Sequence, residues 1–249
     1  MIVSTSWITT LLFITIRMGT ILLFTPIQAI RQIPVHSRLI FIFIFSVLMS
    51  LNTDQVTEME NPRILLGGIA EFANGLILAT SMFAAFSVFQ IAGQIIENET
   101  GMNSLTLFNP SEHSQLPLTS HLLSMLAVLF FFGLNGHIWL FKGLSYSFVI
   151  IPPGTLSLFN GFVPVMKQLG FMFSMAVMIA SPIITSLLVI DLFSAVLTRN
   201  MPQISTYFLM IPIKVLLALV LLGLMLNYFN PIANQVFEHC FQTWQEIMS

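Results

Sequence analysis

Charge is what this sequence has least of. Asp, Glu, Lys and Arg make up 7% of its 249 residues, whereas a soluble domain carries about 25%. That scarcity excludes a water-facing surface over most of the chain. A net charge of -2 excludes the basic stripe needed to neutralise phosphates, so no nucleic-acid partner is expected. The single cysteine, Cys240, excludes an internal disulfide and a CxxC metal site. HExxH, GxSxG and Walker A sequences are all missing, which leaves protease, hydrolase and ATPase readings without a motif. We expect no enzyme activity, no catalytic residue, no metal and no cofactor. Met1 to Thr10 lack the basic start and small-residue cleavage site of a removable signal, so the first apolar segment is expected to stay.

What the chain has is hydrocarbon. Hydrophobic residues reach 56% and mean hydropathy is +0.92. Several apolar runs match the ~20 residues that cross a bilayer as helix, and none shows the alternation of a membrane barrel. The expected fold is an all-α integral membrane protein of about six long, kinked helices in hairpins. In order, the segments are Trp7–Ile30; the short run Leu39–Leu51; Leu65–Ile96; His121–Ile151; Phe162–Arg199, kinked at Pro182; and Tyr207 to about Tyr228. Pro231 is expected to separate the last from an amphipathic tail. Polar connections fall at Asn52–Arg63, Glu97–Ser120 and Thr155–Gly161. Gly75, Ala79, Ser81 and Ala85 repeat small side chains at four-residue spacing, which lets helix backbones approach closely.

Four charges stand inside apolar runs: Arg17, Glu71, Asp191 and Lys214. Each costs about 2.5 to 3.5 kcal/mol at mid-helix, so each needs a reason to be there. A proton or ion pathway, or a substrate-binding site in a transporter, is one, and inter-helix or inter-subunit pairing is the other. Asp191 and Lys214 lie at similar distances on either side of the Arg199–Thr206 turn, so they fall at similar depth and are expected to pair.

Phe130 to Leu140 puts Gly133, Asn135, Gly136 and His137 in the middle of an apolar run. Backbone broken at that depth needs protein partners. No second ligand stands three or four residues after His137, where Leu140 and Phe141 lie, so it is read as a packing residue in a helix break. Met172, Met175 and Met178 recur along one helix face and are read as packing rather than as a pore gasket.

Three ordered motifs together resemble a known family. They are Phe132 to Leu140; Gly93-Gln94-Ile95-Ile96 followed by Gly101 and Pro110; and Arg199-Asn200-Met201-Pro202-Gln203 with Pro212 and Lys214. The set is similar to the FliR family of flagellar type III export-gate membrane proteins, over roughly Arg17 to Leu222. The run Asn135-Gly136-His137 resembles the flagellar rather than the virulence branch.

The resemblance implies one copy of the chain assembled with five copies of a second gate protein and four of a third, in the bacterial inner membrane at the flagellar basal body. It also implies a fourth membrane partner, the substrate-specificity switch protein, and unfolded flagellar proteins as the passing substrates. By the same resemblance, residues 1–158 are like the five-copy partner and residues 159–249 form a helical hairpin like the four-copy partner. The constriction is then expected near Glu97, Glu99, Gly101, Met102, Asn109 and Pro110. Arg17, Glu71, Gly133, Asn135, Gly136, His137, Asp191, Arg199, Pro202, Gln203, Pro212 and Lys214 are expected to hold helices or subunits together. A virulence export-gate subunit is the alternative, and a small-solute transporter with broken helices is a more distant one. The transporter class shows matching interruptions in its two halves, and the Gly136-His137 break has no counterpart near Pro182.

Overall fold

A computed structural model describes residues 5–27, 30, 33–51, 53, 61–102, 118–155, 158–201 and 206–248, without the side chains of 61–62, 158–161 and 206–209. Among these residues all regular structure is helical. The helices are α1 (Thr5–Leu23), α2 (Val35–Ser50), α3 (Asn61–Thr100), α4 (Leu118–Gly133), α5 (Gly136–Ile150), α6 (Leu158–Asn200) and α7 (Thr206–Met248). The six apolar segments of the sequence correspond to α1, α2, α3, the α4–α5 pair, α6 and α7. Four helices are individually long and apolar enough to cross a membrane, and the bent α4–α5 pair makes a fifth if it is one span. The chain is an all-α membrane protein. At 16 residues, α2 falls short of a full crossing.

Several boundaries differ from the sequence reading. The first helix stops at Leu23 rather than Ile30. Pro26 has no N–H to continue the ladder and biases Thr25 away from helical backbone, so Phe24 N–H to Thr20 O (3.1 Å) is the last α-type bond. The third helix runs past Ile96 to Thr100 and ends at Gly101, whose φ of +75° suits glycine at a helix C-terminus. The sixth begins at Leu158, so the loop expected over Thr155–Gly161 is cut short. The largest correction concerns Pro231: α7 passes through both Pro212 and Pro231 without ending. A proline removes one helical hydrogen bond, whereas ending the helix in an apolar setting strands several backbone groups.

By internal packing the chain forms two compact units. One comprises Met1–Phe86, Phe131–Gly170 and Val236–Ser249; the other comprises Ser87–Phe130 and Phe171–Gln235. In the first, α1 packs on α2, and Phe131 sits against Phe86 and Phe237 with ring centroids 5.2 to 5.4 Å apart. Gly75 lets α3 approach α1 closely, since a Cβ there would meet Thr20 Cβ at 2.8 Å and Arg17 O at 3.0 Å. The small residues Ala79, Ser81 and Ala85 are all buried. Trp244, in the stretch read as an amphipathic tail, is 1% exposed and lies over Gly143. The second unit is built on Val88, Phe89, Ile96, Ile179, Ile183 and Phe229, all buried.

Candidate functional site

The polar side chains that the sequence could not afford to leave alone converge at three points. The deepest surrounds Arg17, which is 0% exposed, as is Glu71. Arg17 Nε donates to Glu71 Oε2 at 2.6 Å and Nη2 donates to Oε1 at 2.8 Å. This two-pronged contact suits the planar guanidinium fork. The remaining N–H groups turn to the end of α5: Nη1 donates to Ser147 O (2.9 Å) and Ser147 Oγ (3.3 Å), and Nη2 to Ile151 O (3.1 Å). Five N–H groups thus meet five acceptors. The cation also lies where the α5 dipole is negative, and its Cζ is 4.5 Å from the Phe148 ring centroid.

Glu71 extends the clamp to the next turn. Its Oε1 accepts from Gly154 N at 2.8 Å, and one helical turn on, Asn74 Nδ2 donates to Thr155 O at 2.7 Å. Gly154 has φ of +88°, a conformation glycine adopts without strain. One guanidinium and one carboxylate therefore join α1, α3, the end of α5 and the Pro152-Pro153-Gly154 turn.

The second point lies in the other unit. Lys214 on α7 forms an ion pair with Asp191 on α6 and donates from Nζ to Glu99 O at 3.3 Å. The two side chains are 14% and 40% exposed, so this pair is wetter than the first. Nearby in sequence, Glu97 is 2% exposed, and its Oε1 accepts from Thr119 N (3.0 Å) in the first turn of α4. Gly93 is the close-approach residue there: a Cβ would meet Ser120 Cα at 2.3 Å. Glu97 therefore sits on a helix rather than in the polar connection assigned to it.

The third point is neutral. Ser81 Oγ bonds the Gln168 side chain, Gln168 Nε2 donates to Ser81 O at 2.9 Å, and Cys240 Sγ contacts Ser81 O at 3.6 Å. The buried Cys240 makes a weak donor contact inside this packed polar knot.

The helix break has its own geometry. Asn135 adopts left-handed backbone, φ 58° and ψ 27°, and α4 meets α5 there at a 70° bend. Asn tolerates this region better than most residues. Gly136 is required by contact, since a Cβ would lie 2.4 Å from the Phe131 ring, but Gly133 has open space around it. His137 packs on Phe132 with ring centroids 5.5 Å apart.

Of the other residues singled out in the sequence, Glu99 and Met102 are half-buried, Arg199 is exposed near the end of α6, and Pro212 lies inside α7. Asn109, Pro110, Pro202 and Gln203 lie outside the described residues. Among the described residues, no three His, Cys, Asp or Glu side chains converge as a metal site would require. The pairing of Arg17 with Glu71 was not read from the sequence. The available signal was that both are isolated charges in apolar runs, each needing a counterpart.

The sequence profile of the family described as "Bacterial export proteins, family 1" matches residues 8–240. That span contains all three polar clusters and the α4–α5 bend. The chain belongs to the FliR family of bacterial export proteins. It is 27% identical over 247 residues to the flagellar biosynthetic protein FliR of Escherichia coli strain K12, covering 98% of this chain and 94% of that protein. It is 24% identical over 245 residues to the protein of the same name from Bacillus subtilis strain 168, covering 96% and 94%. The FliR of Buchnera aphidicola subsp. Schizaphis graminum is 30% identical over 178 residues, covering 70% and 69%. Among the described residues of the matched span, three buried side-chain atoms have no hydrogen-bond partner: Arg38 Nε, Glu97 Oε2 and His137 Nδ1.

Proposed function

We propose that the chain is a non-enzymatic, structural subunit of the flagellar type III protein-export gate in the bacterial inner membrane, at the basal body. It contributes part of the channel wall through which unfolded flagellar proteins leave the cytosol. One copy joins five copies of one gate protein and four of another, and the substrate-specificity switch protein docks on the gate. Residues 1–158 occupy a place like that of the five-copy partner, and 159–249 one like that of the four-copy partner.

The observation that carries this reading is the family match along nearly the whole chain, residues 8–240. Two physical features support it. The buried charges serve internal clamps, which fix bent helices without forming a reaction centre. The outward faces are apolar: only 11% of the most apolar stretch of α7 is buried within the chain, against 61% for α3. Leu216, Leu219, Val220 and Leu224 are among its exposed side chains, a surface that needs lipid or partner helices. In this reading Glu97, Glu99, Gly101, Met102, Asn109 and Pro110 lie close to the constriction, and Asn135-Gly136-His137 favours the flagellar over the virulence system.

The test is deletion of the gene in its native host with secretion as the readout. Flagellar proteins should disappear from the medium and accumulate in the cytosol, and a plasmid copy should restore export. Normal flagellar secretion without the gene, or loss of virulence-protein secretion alone, contradicts the proposal.

A further inference from the structure

We propose that the chain holds an anionic phospholipid in a cavity bounded by α1, α2 and the α4–α5 bend. The cavity has a volume of about 480 Å³ and is lined by Leu22, Ile27, Phe41, Ile42, Phe131 and Leu140, with Arg38 and His137 as its notable polar members. Its size falls in the range of small-molecule sites, about 300 to 1,000 Å³. Packed helices rarely leave an apolar space of this size unfilled.

Two polar atoms decide the occupant. Arg38 Nε and His137 Nδ1 are both buried without a hydrogen-bond partner. Among the described residues the ion pairs are Arg17–Glu71 and Lys214–Asp191, so no described carboxylate neutralises Arg38. A guanidinium cannot escape by deprotonating, so a partly buried one needs an anion brought to it. The surrounding wall is hydrocarbon, so the anion has to arrive attached to an apolar body. A phospholipid with net negative charge satisfies both demands: an acyl chain fills the space between Leu22, Phe41 and Leu140, and the phosphodiester accepts from Arg38 and His137. Basic pockets between membrane helices bind such headgroups. A zwitterionic lipid offers the same chain, but its own cation competes with Arg38. A carboxylate on a partner helix supplies charge without the slender apolar body. The inference rests on residence in a bilayer and is independent of the gate assembly.

The test uses the full chain in mild detergent, stripped of lipid and reloaded with phosphatidylglycerol or phosphatidylcholine of matched chains, read by native mass spectrometry. Phosphatidylglycerol should be retained at least about tenfold better, and Arg38→Gln should remove that preference while leaving phosphatidylcholine unchanged. Arg38→Lys should keep most of the preference, showing that a charge and not a fold defect is measured. Ile33→Trp, which intrudes from the rim, should expel both lipids. Equal retention of the two lipids, an unaltered preference in Arg38→Gln, displacement by millimolar inorganic phosphate, or crosslinking of position 38 to a partner protein in the intact complex would each overturn the proposal.

Discussion

Arg17 and Glu71 meet at 2.6 Å with neither side chain exposed, although 54 positions separate them in sequence. This contact fixes α1 to α3 and, through Ser147 O and Ile151 O, to the end of α5. Its energetics follow from burial. Removing one partner strands the other charge, whereas replacing both removes the desolvation cost as well. Arg17→Met and Glu71→Met are each expected to destabilise the fold by about 3 to 5 kcal/mol, with the double variant recovering a large part of the loss. Unfolding in mixed micelles measures the cycle. Additive single losses would show that the two residues act separately.

The close-approach glycines give a sharper steric contrast. Gly93→Ala drives a methyl into Ser120 backbone at 2.3 Å, and Gly136→Ala drives one into the Phe131 ring at 2.4 Å, whereas nothing lies within 4 Å at Gly133. The first two substitutions should cost about 1 to 3 kcal/mol each. Gly133→Ala should be neutral or slightly stabilising, because alanine favours helix over glycine by up to about 1 kcal/mol. Melting temperatures of the three purified variants, measured side by side, decide this; a Gly133→Ala loss equal to the others would refute the packing account.

Asn135 tests the bend itself. Its φ of 58° costs most L-residues about 1 to 2 kcal/mol but costs glycine almost nothing. Asn135→Gly should therefore be tolerated, and Asn135→Ala should lower stability by about 1 kcal/mol. If alanine and glycine behave alike in unfolding experiments, the backbone conformation is not what selects Asn.

At the wetter pair, Lys214 has two tasks, because it bonds Glu99 O as well as Asp191. Asp191→Asn alone should cost at most about 1 kcal/mol, given its exposure. Exchanging the two charges restores the ion pair but sets a carboxylate against Glu99 O. The exchanged protein should therefore assemble better than Lys214→Met yet less well than wild type, as judged by the yield of intact complex. Full recovery would mean that the Glu99 contact contributes nothing.

The fold was legible because its signal is one of length and hydrocarbon content: six apolar segments become α1, α2, α3, the bent α4–α5 pair, α6 and α7. Helix ends were harder to read. Pro26 stops α1 early, and Pro231 fails to stop α7, because the outcome depends on whether the freed backbone groups find other partners. Asp191 and Lys214 flank a tight turn, which puts their equal depth within reach of sequence. Arg17 and Glu71 share no such local relation, and it is tertiary packing, at Gly67 against Phe13 and at Gly75 against Thr20, that brings their helices together. Asn135 and Gly136 marked the break correctly as a place of special backbone, but its 70° angle does not follow from those two residues.

We propose that this chain works as one member of a mixed membrane assembly. Native mass spectrometry of the complex purified in mild detergent, from cells expressing all the export-gate genes, tests it most directly. The account predicts a large hetero-oligomer with a single copy of this chain and several copies of two other small membrane proteins. A monomer or homo-oligomer, free of other membrane proteins under the same conditions, would contradict it.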